Sequence, residues 1–150
     1  LMFQPGPIQV EPLEASWLGF NGTADDGVAA IDIPVFLMGG TDDEFTGTDI
    51  EPLWNAPDEY RLWLTIERGG HMMFTDLCRL PGANVIEGLA ELCDPTTHID
   101  VDRGLEIVNT YATAFFRFTL KGDEAMVAYL AAEPIVAFDE ATLRVDGERR

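Results

Sequence analysis

The chain has 150 residues, enough for one domain of ordinary size, and its 47% hydrophobic content is too high for a disordered segment. Nine basic residues stand against 27 acidic ones, a net charge of −18; such a surface repels phosphate backbones and anionic membranes and argues against nucleic acid as a partner. No apolar run approaches the roughly 20 residues needed to cross a bilayer, so no membrane span is expected.

Leu1-Met2-Phe3-Gln4-Pro5 has neither a basic start nor a small-residue cleavage site. The chain reads as starting at a strand end inside a longer protein, so secreted, periplasmic and cytoplasmic locations all stay open. Residues 1–24 continue as a long excursion in which Pro5, Pro7 and Pro12 exclude a helix. Trp17, Leu18 and Phe20 are expected to pack as core, with a substrate cleft as the alternative. The sequon Asn21-Gly22-Thr23 adds little about export, since such triplets are common by chance.

Asp25 to Ile31 reads as a short helical turn capped by an aspartate. Ile33-Pro34-Val35-Phe36-Leu37-Met38 is apolar on both faces, as a buried parallel strand is, and Gly39-Gly40 ends it. Thr48-Asp49-Ile50-Glu51 has capping-box spacing and predicts a helix carrying Leu53 and Trp54 and stopping before Pro57. A second strand follows at 60–66. Strand, helix, strand in that order predicts a right-handed crossover with parallel strands.

Beyond it, a weak helix is expected over Asn84–Leu92, then a turn at Asp94-Pro95. From Arg103 to Leu120 the pattern is amphipathic, with Leu105, Val108, Ala112, Phe115 and Thr119 on one face, Phe116 and Leu120 beside them, and Gly122 as the C-terminal cap. A shorter helix is expected over Glu124–Ala132, and from Ile135 a tail that is strand-like or frayed. Cys78 and Cys93 form no C-x-x-C pair, so a zinc or thioredoxin-type site is unsupported. A disulfide between them, worth about 3 kcal/mol on a chain-entropy model, and two free thiols are equally compatible with the sequence.

The chemistry lies just past the two strands. The first runs into Gly40-Thr41-Asp42-Asp43 and the second into Arg68-Gly69-Gly70-His71. A histidine can take a proton from a hydroxyl nucleophile and return it to the leaving group, and a carboxylate beside it fixes the tautomer and steadies the imidazolium. Loops leaving the carboxyl ends of adjacent parallel strands converge on one sheet edge, which would bring Asp43 and His71 together. Asp42 is the adjacent alternative acid. The glycine pairs 39–40 and 69–70 would allow tight backbone turns before each residue. His98, in the polar turn Thr96-Thr97-His98-Ile99-Asp100, reads as structural. Asp94, Asp100 and Asp102 lack the glycine and distal glutamate of a calcium loop.

Residues 34–43, 68–78 and the segment Tyr111–Phe116 with Leu120-Lys121-Gly122-Asp123 resemble, in order, the acid loop, histidine loop and closing helix of the α/β-hydrolase superfamily. The match is to its dienelactone-hydrolase-like and platelet-activating-factor-acetylhydrolase-like branch. The resemblance spans about residues 28–123 and implies an α/β fold over 1–150: a single partial domain, the C-terminal portion of a mostly parallel sheet with flanking helices. It implies a serine-type carboxylic-ester hydrolase with Asp43 as triad acid and His71 as base, a small-molecule ester or lipid-like substrate, and no metal or organic cofactor. The family's G-x-S-x-G elbow has no counterpart; Ser16, the only serine, lacks the flanking glycines. The nucleophile and oxyanion hole are therefore expected upstream, and the isolated chain is expected to be inactive. The rival readings are a non-catalytic binding domain on the same scaffold, and a chain that completes its site as a homodimer or with a separate N-terminal half.

Overall fold

Arg61-Leu62-Trp63-Leu64-Thr65-Ile66 alternates between partly covered and fully covered side chains, and it forms the middle strand, β2 (Arg61–Ile66), of the computed structural model. Residues 31–43, 54 and 60–147 are described. Ser16, the aromatic run near Trp17, the sequon, most of the turn from Asp25 and the capping box at Thr48 lie outside them. β1 (Val35–Gly40) pairs with β2 in parallel, with Phe36 opposite Leu62, Met38 opposite Leu64 and Gly40 opposite Ile66. β3 (Ala141–Asp146) pairs with the other edge of β2, antiparallel, with Leu64 opposite Leu143.

The sheet is therefore mixed and three-stranded in the order β1-β2-β3, which corrects the expectation of a mostly parallel sheet with flanking helices. The reason is the route of the chain. After β2 it forms 3-10 turns at His71–Phe74, Leu77–Arg79 and Ala83–Val85, a single α-turn α1 (Leu89–Leu92), and then one long helix, α2 (Val101–Lys121). α2 starts near the carboxyl end of β2, where Ile99 N–H meets the Arg68 carbonyl, and descends until Phe118 stacks edge-on with Tyr60 at the strand's amino end. The return climb is made off the sheet by residues 130–140: the Leu130 carbonyl accepts from the Tyr60 hydroxyl, the Val136 carbonyl from the Tyr111 hydroxyl, and the Glu140 carbonyl from Glu67 N–H. With the ascent already spent, the next strand runs down. Pro134 stands in the climbing leg and has no N–H to give a ladder.

The core lies between α2 and one sheet face. Leu62, Leu64 and Ile66 are fully covered and meet Ile107, Tyr111, Ala114 and Phe115 of α2, with Leu130, Phe138 and Leu143 closing the sides. Each fully buried aliphatic here contributes on the order of 1.5–3 kcal/mol. Aromatic contacts tie the layers: Phe36 to Phe115 at 5.2 Å between centroids and Tyr111 to Phe138 at 5.9 Å. The opposite face of β2 and β3 carries Trp63 and the guanidinium groups of Arg61 and Arg144, all gathered on the buried Trp54.

α2 begins two residues earlier than its periodicity indicates, because the Asp100 carboxylate caps the N–H groups of Asp102 and Arg103. It ends at Gly122, left-handed at φ 64°, with Gly122 and Asp123 N–H donating to the Phe118 and Arg117 carbonyls. Its buried stripe is Gly104, Ile107, Tyr111, Ala114 and Phe115, rotated from the face expected; Phe116 and Leu120 are exposed. The rotation follows from Gly104, against which the Met73 side chain rests, so α2 presses on the turn carrying His71 as well as on the sheet. The segment expected as a helix over Glu124–Ala132 is a 3-10 helix at Glu124–Tyr129, and the strand-like tail is β3.

Two braces lie outside the core. Cys78 and Cys93 are disulfide-bonded across a separation of 15 residues. Arg103 grips Glu140 with a two-pronged contact at 3.0 and 2.9 Å and lies over the Phe138 ring, fixing the entry to β3 against α2. The Arg103 hydrogen bonds hold the Glu140 carboxyl below its ordinary value of 4.5. A depressed carboxylate contributes stability above its unfolded value and loses it as pH falls through the folded one. Wild type is thus expected to lose more melting temperature than Glu140→Gln between pH 5 and pH 3, in parallel thermal melts. Reduction of the disulfide is expected to lower unfolding stability by about 3 kcal/mol, read as a shift in urea midpoint against a Cys78→Ala/Cys93→Ala control.

Candidate active site

Parallel pairing leaves Gly40 and Ile66 level, so the chains leave β1 and β2 at one edge of the sheet. They stay joined beyond it. Thr41 N–H donates to the Ile66 carbonyl and Asp42 N–H to the Gly69 carbonyl, both at 3.0 Å. The loops can lie this close because both faces of the contact lack side chains. A β-carbon on Gly40 would fall 1.9 Å from the Gly69 carbonyl oxygen, and one on Gly69 would fall 2.8 Å from the Gly40 α-carbon. The glycines thus serve close approach. The left-handed backbone at this edge belongs to Arg68, at φ 57°.

Asp43 and His71 meet at this edge. His71 Nδ1 lies 3.2 Å from each carboxylate oxygen of Asp43. The Asp43 side chain is 3% exposed, and the His71 side chain is 39% exposed. An ionised carboxylate only accepts, so the contact places a proton on Nδ1 and the lone pair of the neutral ring on Nε2. A buried carboxylate is costly unless paired and hydrogen-bonded. Asp42, the alternative acid, is exposed; its carboxylate takes the Thr41 hydroxyl at 3.0 Å.

His71 opens the 3-10 turn His71–Phe74, with Gly70 before it extended at φ −94°. Met73 plugs that turn into the core beneath Gly104. On its other side the backbone at Gly70 faces His98: a β-carbon there would lie 2.8 Å from His98 Nδ1. His98 is held through its backbone, its N–H donating to the Asp94 carbonyl. Two residues central to this arrangement escaped the sequence reading. Thr41 accepts the Arg68 N–H on its hydroxyl at 2.8 Å. Arg68 carries the left-handed backbone where a glycine would be the usual signal.

The three aspartates weighed for calcium have other partners: Asp94 accepts from Thr96 N–H, Asp100 caps α2, and Asp102 takes Arg79 at 2.7 Å. Among the described residues no group of three His, Cys, Asp or Glu side chains is arranged to hold a metal ion, and no helix is long and apolar enough to cross a membrane. Two clefts, of about 400 and 370 Å³, lie along α2 beside Tyr129 and next to Arg68 and Arg103; neither is lined by Asp43 or His71. No family model matches the chain, and no curated protein matches it.

The Gly40 contact can be tested directly. Gly40→Ala sets a methyl against backbone, where nothing flexible can yield. It is expected to cost at least about 1–3 kcal/mol in a denaturant melt and to separate Asp43 from His71, seen as a change in the His71 ring nitrogen shifts.

Proposed function

We propose that this chain contributes the acid and base of a serine-type hydrolase acting on carboxylic esters, with the nucleophile supplied by a segment other than these residues. Asp43 orients the ring and stabilises the imidazolium. His71 takes the serine proton on Nε2 during attack on the ester carbonyl and returns it to the departing alcohol. Water then repeats the cycle on the acyl-enzyme and releases the acid. The substrate class is a small or lipid-like ester.

The observation that carries this reading is the unequal burial of the pair: a carboxylate buried to 3% exposure against an imidazole left 39% open. A turn aspartate is ordinarily solvated, as Asp42 is. Hiding the acid and leaving the base accessible suits a proton carrier that must reach a substrate. The resemblance of residues 34–43, 68–78 and 111–123 to the dienelactone-hydrolase-like branch supports the same roles, as does the order of acid before base.

The test uses the product of the full open reading frame that contains this sequence, probed with a fluorophosphonate and assayed on p-nitrophenyl esters. Labelling of a serine and ester turnover are expected, each falling by about 10³-fold or more in His71→Gln and Asp43→Asn. A folded product that labels no serine, or turnover indifferent to both substitutions, overturns the proposal.

A further inference from the structure

Residues 68–99 leave the sheet and return to their starting point, where Ile99 N–H donates to the Arg68 carbonyl at 2.7 Å. The Arg68 side chain spans the same gap. Its guanidinium donates to the carbonyls of Pro95 at 2.8 Å, His98 at 2.9 Å and Thr97 at 3.3 Å. These carbonyls end the turn that Asp94 opens, and a planar cation with several donors can satisfy three of them at once. The backbone of Arg68 meanwhile sits at φ 57°, alone among the described non-glycine residues in the left-handed region, and its N–H donates to the Thr41 hydroxyl.

One residue therefore joins three pieces: the acid loop through Thr41, the base loop that starts at Gly69, and the turn 94–99. That turn carries His98, which packs on Gly70, the residue before His71. On the reading of Asp43 and His71 as a catalytic pair, we propose that Arg68 is a positioning residue for His71. By clasping the turn at Pro95, Thr97 and His98, it sets the wall against which Gly70 rests and so holds the imidazole on Asp43. A left-handed backbone is strained at a non-glycine residue, and the clasp offsets that strain. It persists because the side chain is needed where it is.

Arg68→Gly separates the two contributions. Glycine accepts the left-handed backbone without strain and keeps the bonds to Thr41 and Ile99, so only the clasp is removed. The chain has two histidines, so the ring nitrogens of His71 can be followed by NMR in the intact, ¹⁵N-labelled protein. Asp43→Asn is the reference for a broken pair. In wild type the neutral His71 ring is expected to be protonated on Nδ1, and in Asp43→Asn on Nε2. In Arg68→Gly, with wild-type circular dichroism, the Nδ1-protonated fraction is expected to fall by roughly half or more, with Arg68→Lys between it and wild type, since lysine offers a point charge in place of the fork.

A normal Nδ1 tautomer in folded Arg68→Gly overturns the positioning role while leaving the pair intact. An Asp43→Asn variant with unchanged His71 signals overturns the pair itself, and this proposal with it. Should Arg68→Gly fail to fold, Arg68→Lys decides: a partial shift toward the Asp43→Asn signals supports the role, and wild-type signals reject it.

Discussion

The close backbone contact of Gly40 with Gly69 governs the geometry of the site. Parallel strands alone bring two loops to one edge but leave their side chains free to splay. Here the loops remain hydrogen-bonded past the end of the sheet through Thr41, Asp42, Ile66 and Gly69. That extension requires two positions without β-carbons facing each other. It carries Asp43 down beside His71 and out of water. The electrostatics follow from the packing: once the carboxylate is buried, a donor must accompany it, and the imidazole is in reach.

The rest of the fold holds that edge still. The fully covered face of β2 anchors α2, and α2 in turn presses through Gly104 on Met73, one turn of chain from His71. A β-carbon at 104 would sit in ordinary contact with Met73 and Ile99, at 3.4 and 3.5 Å, so the space there is filled without a larger side chain. The turn 94–99, wedged on Gly70, closes the base loop from the other side, and the disulfide between Cys78 and Cys93 shortens the path between the two walls. β3 takes no direct part in the site, but the grip of Arg103 on Glu140 links its entry to the first turn of α2. Core burial thus reaches the imidazole through contacts that can be named, from Gly104 of α2 to Met73 to the His71 turn.

Much of this was legible in the sequence, and what was not has physical causes. The apolar run before Gly39-Gly40, the strand at 60–66 and the capped helix that follows are local patterns, and local physics writes them. The meeting of Asp43 with His71 could be inferred from their equivalent places at the ends of adjacent strands. The direction of β3 could not, because it depends on which leg of the returning chain lies on the sheet, and Ala141–Asp146 reads the same either way. The apolar periodicity of α2 points about one position away from its buried stripe, since a helix pressed on both a sheet and a loop is covered over more than one stripe. A glycine pair in a sequence signals conformational freedom, yet Gly40 and Gly69 are needed for the space they leave. Arg68 left no signal, because a left-handed arginine is recognisable only once its three carbonyl partners are in place.

An aspartate–histidine pair can be a structural peg or a proton device, and burial separates the two. A peg gains most when both partners are covered, for exposure weakens the bond by competition with water. A proton device needs its acid desolvated, so that the ring is held firmly and its tautomer is fixed, and its base accessible, so that a proton can leave. The asymmetry between Asp43 and His71 is the one that the proposed role requires. The pair by itself performs no attack: an imidazole with Nε2 as its basic nitrogen needs a hydroxyl placed against it and donors for the oxyanion that follows. The loops joined by Gly40 and Gly69 bring two side chains from separate strands into register at one edge, the acid and base that the proposed reaction calls for.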